Sequence, residues 1–458
     1  MVKIENKDIL IITITLFIIS RIIIYLSGIY PNHEIFATMW QVLDLNLLEK
    51  NFLSSIYYIH YQPPLWNLLV GFIVQIFGAD YLTISKVIHL INIFISIISI
   101  IIFFKLSEIL KLSRINLFLI SLFFITISIS YMFYENYLHY THLTTLFFLL
   151  FIYNYFRFIE KFELKYEIYI YLVAILLVYT WSAFSHPFFI FLIFITICFI
   201  KLKFKILRSI TIFSLFVLIS ILPSVKNKIE LNFFGNSSWI GLQVIQVLKR
   251  WDVYNGTCNM NFDRIYEYEK FYKDDSDINF EHPSLVGKLS KWNNIGMIYK
   301  TKKCLSKGIE LIVEDPLNYF SIVKFNFIST HGHFAFDHGF KPIGWNKYFD
   351  IFDQIKKYKF SNSLKVRIVQ SYYIIIYLFF TTILIRSLMR IRDVSSFLQG
   401  KAMSSIFLIY LWMIILTHMF AGFEQERMRH LGHFLHVLFL SLLFKEKFNF
   451  KRLFTKNY

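Results

Sequence analysis

The chain is poor in charged residues. Only 17% of its 458 residues are Asp, Glu, Lys or Arg, whereas 56% are hydrophobic, and the mean hydropathy is +0.54. An ordinary soluble domain has about 25% charged residues and about 45–50% apolar residues. These proportions exclude a globular enzyme of the cytoplasm, a disordered chain and a fibrous protein.

Cysteine is also scarce, with three residues and no pair at CxxC spacing. Cys198 lies in an apolar run, whereas Cys258 and Cys304 lie in a long polar stretch, where they can form a disulfide if that stretch faces an oxidising compartment. Residues 329–338 contain histidines and an aspartate, which suit zinc or manganese, but the spacing fixes no fourth ligand. We therefore expect no certain cofactor and leave a divalent metal open.

What the sequence does contain is a series of long apolar runs. A helix needs about 20 apolar residues to cross a bilayer, and ten segments meet or approach this length: 8–29, 84–106, 115–134, 139–157, 167–185, 187–201, 206–223, 369–387, 402–421 and 430–444. A further run at 64–78 is short and better suits an interfacial helix in the first outer loop. The sequence therefore predicts an all-α polytopic membrane protein with about ten transmembrane helices.

The basic residues indicate its orientation. The net charge is +17, but Lys and Arg cluster at the ends of apolar segments, which is typical of cytoplasmic loops and not of a nucleic-acid-binding face. Their alternation places both termini in the cytoplasm of a multi-pass plasma (inner) membrane protein, with loop 30–83 outside. We expect three parts: a transmembrane bundle at 1–223, an outer-side domain at 224–368 and C-terminal transmembrane helices at 369–458.

The first outer loop carries two carboxylates, Glu34 and Asp44, a few residues beyond a membrane helix. A carboxylate at the lipid–water boundary can accept a proton from an incoming hydroxyl group, although both can also be ordinary solvated side chains. His60 and Gln62 precede two consecutive prolines, which restrict the backbone and make this turn rigid.

Two further outer turns collect polar side chains. Glu135, Asn136 and Tyr140 lie between two apolar helices, and His186 follows at another predicted outer end. These residues suit either substrate binding or an aromatic belt with polar tips. Arg21, inside the first helix, either extends to the interface or faces the bundle.

Arg427 and Arg429 precede the last predicted helix on the outer side, against the usual distribution of positive charge. A guanidinium group binds phosphate through two parallel hydrogen bonds and keeps its charge when partly buried. The pair therefore predicts a phosphate-binding element.

Four blocks of sequence, in this order, resemble a known family. They are WQVLD at 40–44, HYQPPLWN at 60–67, YENYLHY at 134–140, and a KN pair at 226–227 followed by FGNSSWIG at 234–241. The pattern resembles integral-membrane GT-C-type glycosyltransferases that use polyprenyl-phosphate sugars, including protein O-mannosyltransferases and lipid A aminoarabinose transferases. More closely, it is similar to family-39-like membrane proteins of bacteria, whose substrates are unassigned. Better-known members carry adjacent Asp-Glu in the first outer loop, whereas this chain has His33-Glu34.

The resemblance implies a GT-C-like fold and transfer of a sugar from a polyprenyl-monophosphate donor to an envelope glycan, lipid or protein. Asp44 or Glu34 would be the base, with Asp44 ranked first because it lies in a shared block. His60, Gln62, Glu135, Asn136, Tyr140 and His186 would bind the substrates. Arg427, Arg429 and Lys226 would stabilise the leaving phosphate. Membrane lipids are further expected partners, and nucleic acid is not.

Two other functions stay open from the sequence. A polysaccharide polymerase or ligase would also combine outer arginines with a long outer loop. A flippase or transporter of lipid-linked sugars would show ionisable groups near the membrane midplane. A transferase requires the outer carboxylates and the phosphate-binding element to meet at one cavity.

Overall fold

A computed structural model describes about two thirds of the chain. The described residues are 6–34, 39, 41–110, 112, 117, 129–184, 187–201, 206–248, 269, 282–332, 342–344, 398–420, 430–431, 434–435 and 438. Within these ranges the chain is helical between turns, with one isolated antiparallel bridge joining Tyr30 to Ile343. The expectation of an all-α protein is confirmed for this part of the chain.

Fourteen α-helices are described, and we number them in chain order. They are α1 Asn6–Leu26, α2 Leu45–Lys50, α3 Phe52–Tyr57, α4 Leu65–Phe77, α5 Tyr81–Ile109, α6 Ile129–Asn136, α7 Thr141–Lys161, α8 Leu164–Thr180, α9 Pro187–Lys201, α10 Ile206–Leu231, α11 Ile240–Val247, α12 Gly296–Glu314, α13 Pro316–Gly332 and α14 Leu398–Phe420. Two 3₁₀-helices, Ser182–Phe184 and Lys288–Asn293, connect parts of this series.

Four helices are long and apolar enough to cross a membrane, namely Asn6–Leu26, Tyr81–Ile109, Thr141–Lys161 and Leu207–Leu231. Shorter apolar segments occur at Leu65–Phe77, Phe189–Cys198 and Ser405–Ile415. The chain is therefore an α-helical protein of membrane-embedded character. The count of ten spans stays a prediction, since segment 369–387 and most of 115–134 and 430–444 lie outside the described residues.

The core of the bundle surrounds α7. This helix packs against α5, α8 and α14, and α10 packs against α8 and α9. Phe151, Tyr155 and Phe158 of α7 are fully buried, as are Ile100 and Phe103 of α5. In α1, by contrast, only four of the 21 residues are buried. Exposed apolar side chains are expected of a helix that contacts lipid.

Residues 30–83, which the sequence predicts as the first outer loop, contain three short helices, α2, α3 and α4. The 13-residue helix α4 is about 20 Å long, well short of the roughly 30 Å of a bilayer core. One face of α4 buries Trp66 and Val70, while Phe72 and Ile76 on the other face are exposed. This amphipathic character agrees with the expected interfacial helix.

Helix α10 differs from its prediction. The sequence places the end of this span at residue 223, but the helix continues through Pro223 to Leu231. The added turns are held from outside the helix, because Lys226 donates to carbonyl groups of the first outer loop and Asn227 donates to the Gly235 carbonyl oxygen. The boundary expected between the bundle and the outer-side domain thus falls within a helix.

The described part of segment 224–368, which the sequence predicts as an outer-side domain, has a small core. Helices α11 and α12 pack face to face around Leu242, Ile245 and Cys304. Cys304 is disulfide-bonded, and Cys198 is free. The expected partner, Cys258, lies outside the described residues.

Candidate functional site

Asp44 is a buried carboxylate at the start of α2, with 7% of its surface exposed. Its Oδ1 accepts hydrogen bonds from the backbone N–H of Asn46 at 2.9 Å and from the Asn46 side chain at 3.1 Å. Its Oδ2 lies 3.3 Å from the ammonium nitrogen of Lys291. Asp44 therefore caps a helix with one oxygen and faces a cation with the other.

The segment before Asp44 is fixed by Asn67 in α4. The Asn67 side chain accepts from the backbone N–H of Leu43 at 2.7 Å and donates to the carbonyl oxygen of Gln41 at 3.0 Å. Two of the four recognised sequence blocks are joined in this way. The contact sets the position of Asp44 through the main chain next to it.

Lys291 was not identified by sequence reasoning, since it lies in no motif and 247 positions from Asp44. It lies at a kink between two short helical turns within residues 288–293, where its backbone has φ 46° and ψ −125°. A residue other than glycine with a positive φ has a backbone conformation that costs about 1–3 kcal/mol. That conformation persists only where the surrounding structure enforces it. Such strain occurs disproportionately at functional sites, which makes Lys291 a candidate residue for positioning Asp44.

Glu34, the other proposed base, is exposed. Its backbone N–H donates to Asn32 Oδ1 at 3.1 Å, which forms a local turn. Of the two carboxylates, Asp44 is the one held in a fixed and largely dry environment, where a charged group acts more strongly on a neighbouring reaction.

His60 is completely buried and connects two distant parts of the chain. Its Nε2 lies 2.7 Å from the carbonyl oxygen of Asn293, and its Nδ1 lies 2.9 Å from Ser238 Oγ. Because a carbonyl oxygen only accepts, Nε2 carries the proton and Nδ1 accepts from the serine hydroxyl. Burial lowers the pKa of His60 to about 3, so the ring is neutral at physiological pH. Both ring nitrogens are occupied, which makes His60 a structural link in this conformation.

Gln62 is buried in the same turn, with 2% of its surface exposed. Among the residues that the structure describes, neither the oxygen nor the nitrogen of its side-chain amide has a hydrogen-bond partner. A buried amide without partners is costly, and a polar ligand would remove that cost. The neighbouring backbone is firmly held, because Ser237 Oγ donates to the Tyr61 carbonyl oxygen at 2.7 Å.

Lys226, a predicted phosphate ligand, lies against the same loop. Its ammonium group donates to the carbonyl oxygens of Tyr57 at 2.6 Å and Ile59 at 2.8 Å. In this conformation the cation fixes the main chain just before His60. We call the group formed by Asp44, His60, Gln62, Lys226 and Lys291 the outer-loop cluster.

Glu135 belongs to a second polar group, inside the bundle. Its Oε2 lies 2.5 Å from Nε of Arg21, and its Oε1 accepts from Ser96 Oγ at 2.9 Å. Of the two positions left open for Arg21, the structure has the one facing the bundle, with 8% of the residue exposed. Burial of a charge requires a partner of opposite charge, and each of these two residues provides it for the other.

This network extends further through two histidines. His142 Nε2 lies 2.9 Å from Ser96 Oγ, and His142 Nδ1 lies 3.3 Å from His430 Nε2. The His430 ring also stacks on Tyr134, with ring centres 4.2 Å apart. We call Arg21, Ser96, Glu135, His142 and His430 the bundle network. Sequence reasoning missed Ser96 because a serine on an apolar helix carries no motif.

The other predicted site residues are placed as follows. Asn136 is buried and donates to the Met132 carbonyl oxygen at 2.9 Å. Tyr140 is buried against His139 and Trp181. His186, Arg427 and Arg429 lie outside the described residues, although His430, next to Arg429 in sequence, packs on the 134–142 turn.

The possible metal site at 329–338 also lies largely outside the described residues. In the part of the chain that the structure describes, no group of three His, Cys, Asp or Glu side chains is arranged to hold a metal ion. No family model, curated protein or solved structure matches the chain.

Proposed function

We propose that this protein is a GT-C-type glycosyltransferase of the plasma membrane. It would move a sugar from a polyprenyl-monophosphate donor to an envelope glycan, lipid or protein on the outer face. The observation that carries this proposal is Asp44, a buried carboxylate of the first outer loop with one oxygen facing Lys291.

The proposed reaction inverts the anomeric carbon. Asp44 takes the proton of the acceptor hydroxyl while that oxygen forms a bond to the anomeric carbon. The bond between this carbon and the phosphate oxygen breaks, and the lipid phosphate leaves with the electron pair. Gln62 would bind a sugar hydroxyl through its unpartnered amide. Arg427 and Arg429 are the proposed stabilisers of the leaving phosphate, with Lys226 joining them if its ammonium group leaves the loop carbonyls.

Contacts between the sequence blocks support one assembled site. The 60–67 block contacts the 40–44 block through Asn67 and the 234–241 block through His60 and Ser238. Residues far apart in sequence thus surround the turn next to Asp44. The disulfide at Cys304 agrees with an outer, oxidising compartment for this segment, and both termini would then be cytoplasmic.

The test is sugar transfer by the purified full chain in lipid nanodiscs. It would be offered labelled polyprenyl-monophosphate sugars and an extract of envelope acceptors from its host. Asp44→Asn is the informative variant, and Glu49→Gln, an exposed carboxylate on the same short helix, is the matched control. Transfer by the wild type and the control, but not by Asp44→Asn, supports the proposal. Equal transfer by all three would refute Asp44 as the base.

A transporter of lipid-linked sugars is a second candidate, and the bundle network favours it. Ser96 lies 15 residues into the 29-residue helix α5 and therefore near its middle, and it contacts both Glu135 and His142. Ionisable groups inside a bundle are typical of proton or ion pathways. Uptake of a labelled lipid-linked sugar into the lumen of proteoliposomes, without transfer, would favour this function.

A further inference from the structure

The junction between α12 and α13 exposes a group of large apolar side chains. Ile309 and Val313, near the end of α12, have 52% and 74% of their surface exposed, and Leu317 and Phe320, at the start of α13, have 82% and 60% exposed. Single apolar side chains on a surface are ordinary, whereas a contiguous group of them marks an interaction surface. We call the junction at 309–320 the elbow and these four residues the elbow patch.

The elbow patch results from the way the two helices pack. Its two members in α12 are four residues apart and therefore share one face of that helix. Cys304 and Gly308, on another face of α12, are buried against α11. Its two members in α13 are three residues apart, and Tyr319 between them is buried. Each helix thus turns one face to the protein core and leaves the elbow patch exposed.

A hydrogen bond fixes the elbow beside one end of α14. The Tyr319 hydroxyl donates to the carbonyl oxygen of Met419 at 2.9 Å. Met419 lies one residue before the end of α14, a helix that coincides with the predicted span 402–421 and contains the apolar segment Ser405–Ile415. The four residues from Ile415 to Met419 add about 6 Å. The first turn of α13 therefore lies near the boundary between hydrocarbon and head groups at that end of α14.

The exposure of the elbow patch resembles that of side chains on the membrane helices. Leu26 in α1 and Leu207 in α10 are each 78% exposed, and both belong to helices long and apolar enough to cross a bilayer. Leu317 is exposed to a similar degree, although it lies in the segment that the sequence predicts as an outer-side domain. A bilayer surface removes such side chains from water, because interfacial helices bury their apolar face about 5–10 Å deep.

Charged residues at the same junction limit the depth that the elbow can reach. Glu310, Glu314 and Asp315 are exposed. Lys307 forms an ion pair with Glu310, and Asp315 Oδ1 accepts from the backbone N–H of Asn318 at 3.0 Å. Charged side chains are costly inside the hydrocarbon. The combination of an apolar patch with adjacent charges therefore fits the plane of the membrane interface and not a spanning segment.

We propose that the elbow rests on the bilayer, with the elbow patch inserted into the leaflet in which α14 ends. In the predicted topology this is the outer leaflet. The contact holds α12 at a fixed height, and α12 is joined to the outer-loop cluster, because Thr301 Oγ1 donates to the carbonyl oxygen of Ser238 and Ser238 Oγ contacts His60. The membrane thus sets the height of the outer-loop cluster. This inference does not require the proposed transferase activity.

The test is photo-cross-linking of the full chain in nanodiscs of palmitoyl-oleoyl phosphatidylcholine. The photoreactive amino acid benzoylphenylalanine replaces Leu317, and mass spectrometry measures the yield of covalent lipid adducts. Leu289, 47% exposed and two residues before Lys291 of the outer-loop cluster, is the matched control. Leu218, 65% exposed within the apolar helix α10, is the positive reference.

We expect the lipid-adduct yield at 317 to be at least about tenfold the yield at 289 and within about threefold of the yield at 218. The reason is that transfer of a large apolar side chain from water to lipid changes its distribution by about an order of magnitude or more. Circular dichroism establishes that each labelled chain is folded.

A second measurement tests whether the apolar side chains hold the elbow in place. Benzoylphenylalanine replaces Val313, alone or together with Leu317→Gln/Phe320→Gln. We expect the double substitution to lower the lipid-adduct yield at 313 at least about tenfold, because two apolar contacts with lipid are lost. Leu289→Gln is the matched control and should leave the yield at 313 unchanged.

Three results would overturn the inference: a lipid-adduct yield at 317 no greater than that at 289, an unchanged yield at 313 in the double variant, or cross-links from 317 to a second copy of the chain in place of lipid. The last result would identify the elbow patch as a dimer interface. Lipid adducts at 317 without sugar transfer would leave the elbow intact and refute the proposed function. Sugar transfer without lipid adducts at 317 would do the reverse.

Discussion

At the scale of the residue, His60 shows how a conspicuous polar side chain can serve the fold. Its position before two prolines suggests a substrate ligand, yet its two ring nitrogens contact Asn293 and Ser238, which lie far away in the sequence. A sequence gives the residue type and its neighbours, whereas the role depends on partners more than 170 positions away.

The burial of His60 predicts that the stability of the protein depends on pH. The pKa of His60 is about 3 in the folded chain and about 6.5 when unfolded. Between these values the unfolded state binds the additional proton, so stability is complete above about pH 6.5 and falls as the pH decreases toward 3. The contribution of this one group is at most about 1.4 kcal/mol per pH unit.

The measurement is the Tm in detergent between pH 8 and pH 4.5. His60→Gln should have a lower Tm than the wild type at pH 8, because the links to Asn293 and Ser238 are altered, and the difference should narrow on acidification. A difference that stays constant over this range would contradict the assignment of a neutral, buried His60.

The Arg21–Glu135 pair gives a second prediction at this scale. Glu135→Gln leaves the guanidinium group of Arg21 buried without its counter-charge, which typically destabilises a protein by about 3–5 kcal/mol. Arg21→Gln/Glu135→Gln removes both charges and should recover much of that loss. Thermal unfolding of Glu135→Gln, Arg21→Gln and the double variant measures the coupling energy between the two side chains. Additive losses would show that the two side chains do not depend on each other.

The same scale shows what sequence reasoning can find. The sequence predicts Asp44 and Gln62 as site residues because each lies in a short polar block near a membrane helix, and the structure shows that both side chains are buried. Lys291, Asn293 and Ser96 were missed because their importance comes only from the residues they contact.

At the scale of the element, helix packing explains why the sequence block at 234–241 ends in a glycine, Gly241. A Cβ at this position would lie 2.2 Å from the carbonyl oxygen of Thr301 in α12. Two helices approach this closely only where one of them has no side chain at the contact. Gly241 therefore permits the packing of α11 against α12.

We expect Gly241→Ala to destabilise the protein by about 1–3 kcal/mol, because the contact is with main chain that cannot rotate away. Gly235→Ala is the comparison, since a Cβ there would lie 3.0 Å from the ring of Phe233, a side chain that can shift, and would meet no main chain within 4 Å. Thermal unfolding of both variants tests this. A loss in Gly241→Ala no larger than that in Gly235→Ala would contradict the packing explanation.

Helix positions were easier to predict than helix ends. Runs of apolar residues correctly predicted α1, α5, α7, α8 and α9, because burial in lipid or in a bundle requires long apolar segments. The predicted end of α10 at residue 223 was wrong, because the helix continues through Pro223 to Leu231. Contacts of Lys226 and Asn227 stabilise the turns beyond the apolar run. Such contacts depend on the tertiary structure.

At the scale of the whole molecule, the chain is a helical, membrane-embedded protein with four helices long enough to span a bilayer in the part described. The predicted ten spans follow from hydropathy and the distribution of Lys and Arg over the entire sequence. This topology predicts that reporter fusions after residue 458 and after residue 114 face the cytoplasm, and that a fusion after residue 57 faces outward. A C-terminal fusion active outside the cytoplasm would contradict an even number of spans.

Two polar groups within the described part of the chain bear on its function, namely the outer-loop cluster and the bundle network. The first supports a transferase and the second is what a transporter would require, so the assignment depends on whether Asp44 takes part in chemistry. Sequence alone predicted the carboxylate and its loop, but not the lysine that faces it.

The most direct test is the initial rate of sugar transfer by Asp44→Asn relative to wild type, in nanodiscs at saturating donor, with Glu49→Gln as control. Loss of a general base lowers a rate by about 100- to 10,000-fold. We predict a loss of at least about 100-fold in Asp44→Asn. The Tm of this variant should fall because the ion pair with Lys291 is lost, so the rate is measured at a temperature at which circular dichroism shows the variant to be folded. The rate for Glu49→Gln should stay within about twofold of wild type. A rate for Asp44→Asn close to that of the wild type would contradict the central claim that Asp44 is the base of a transferase.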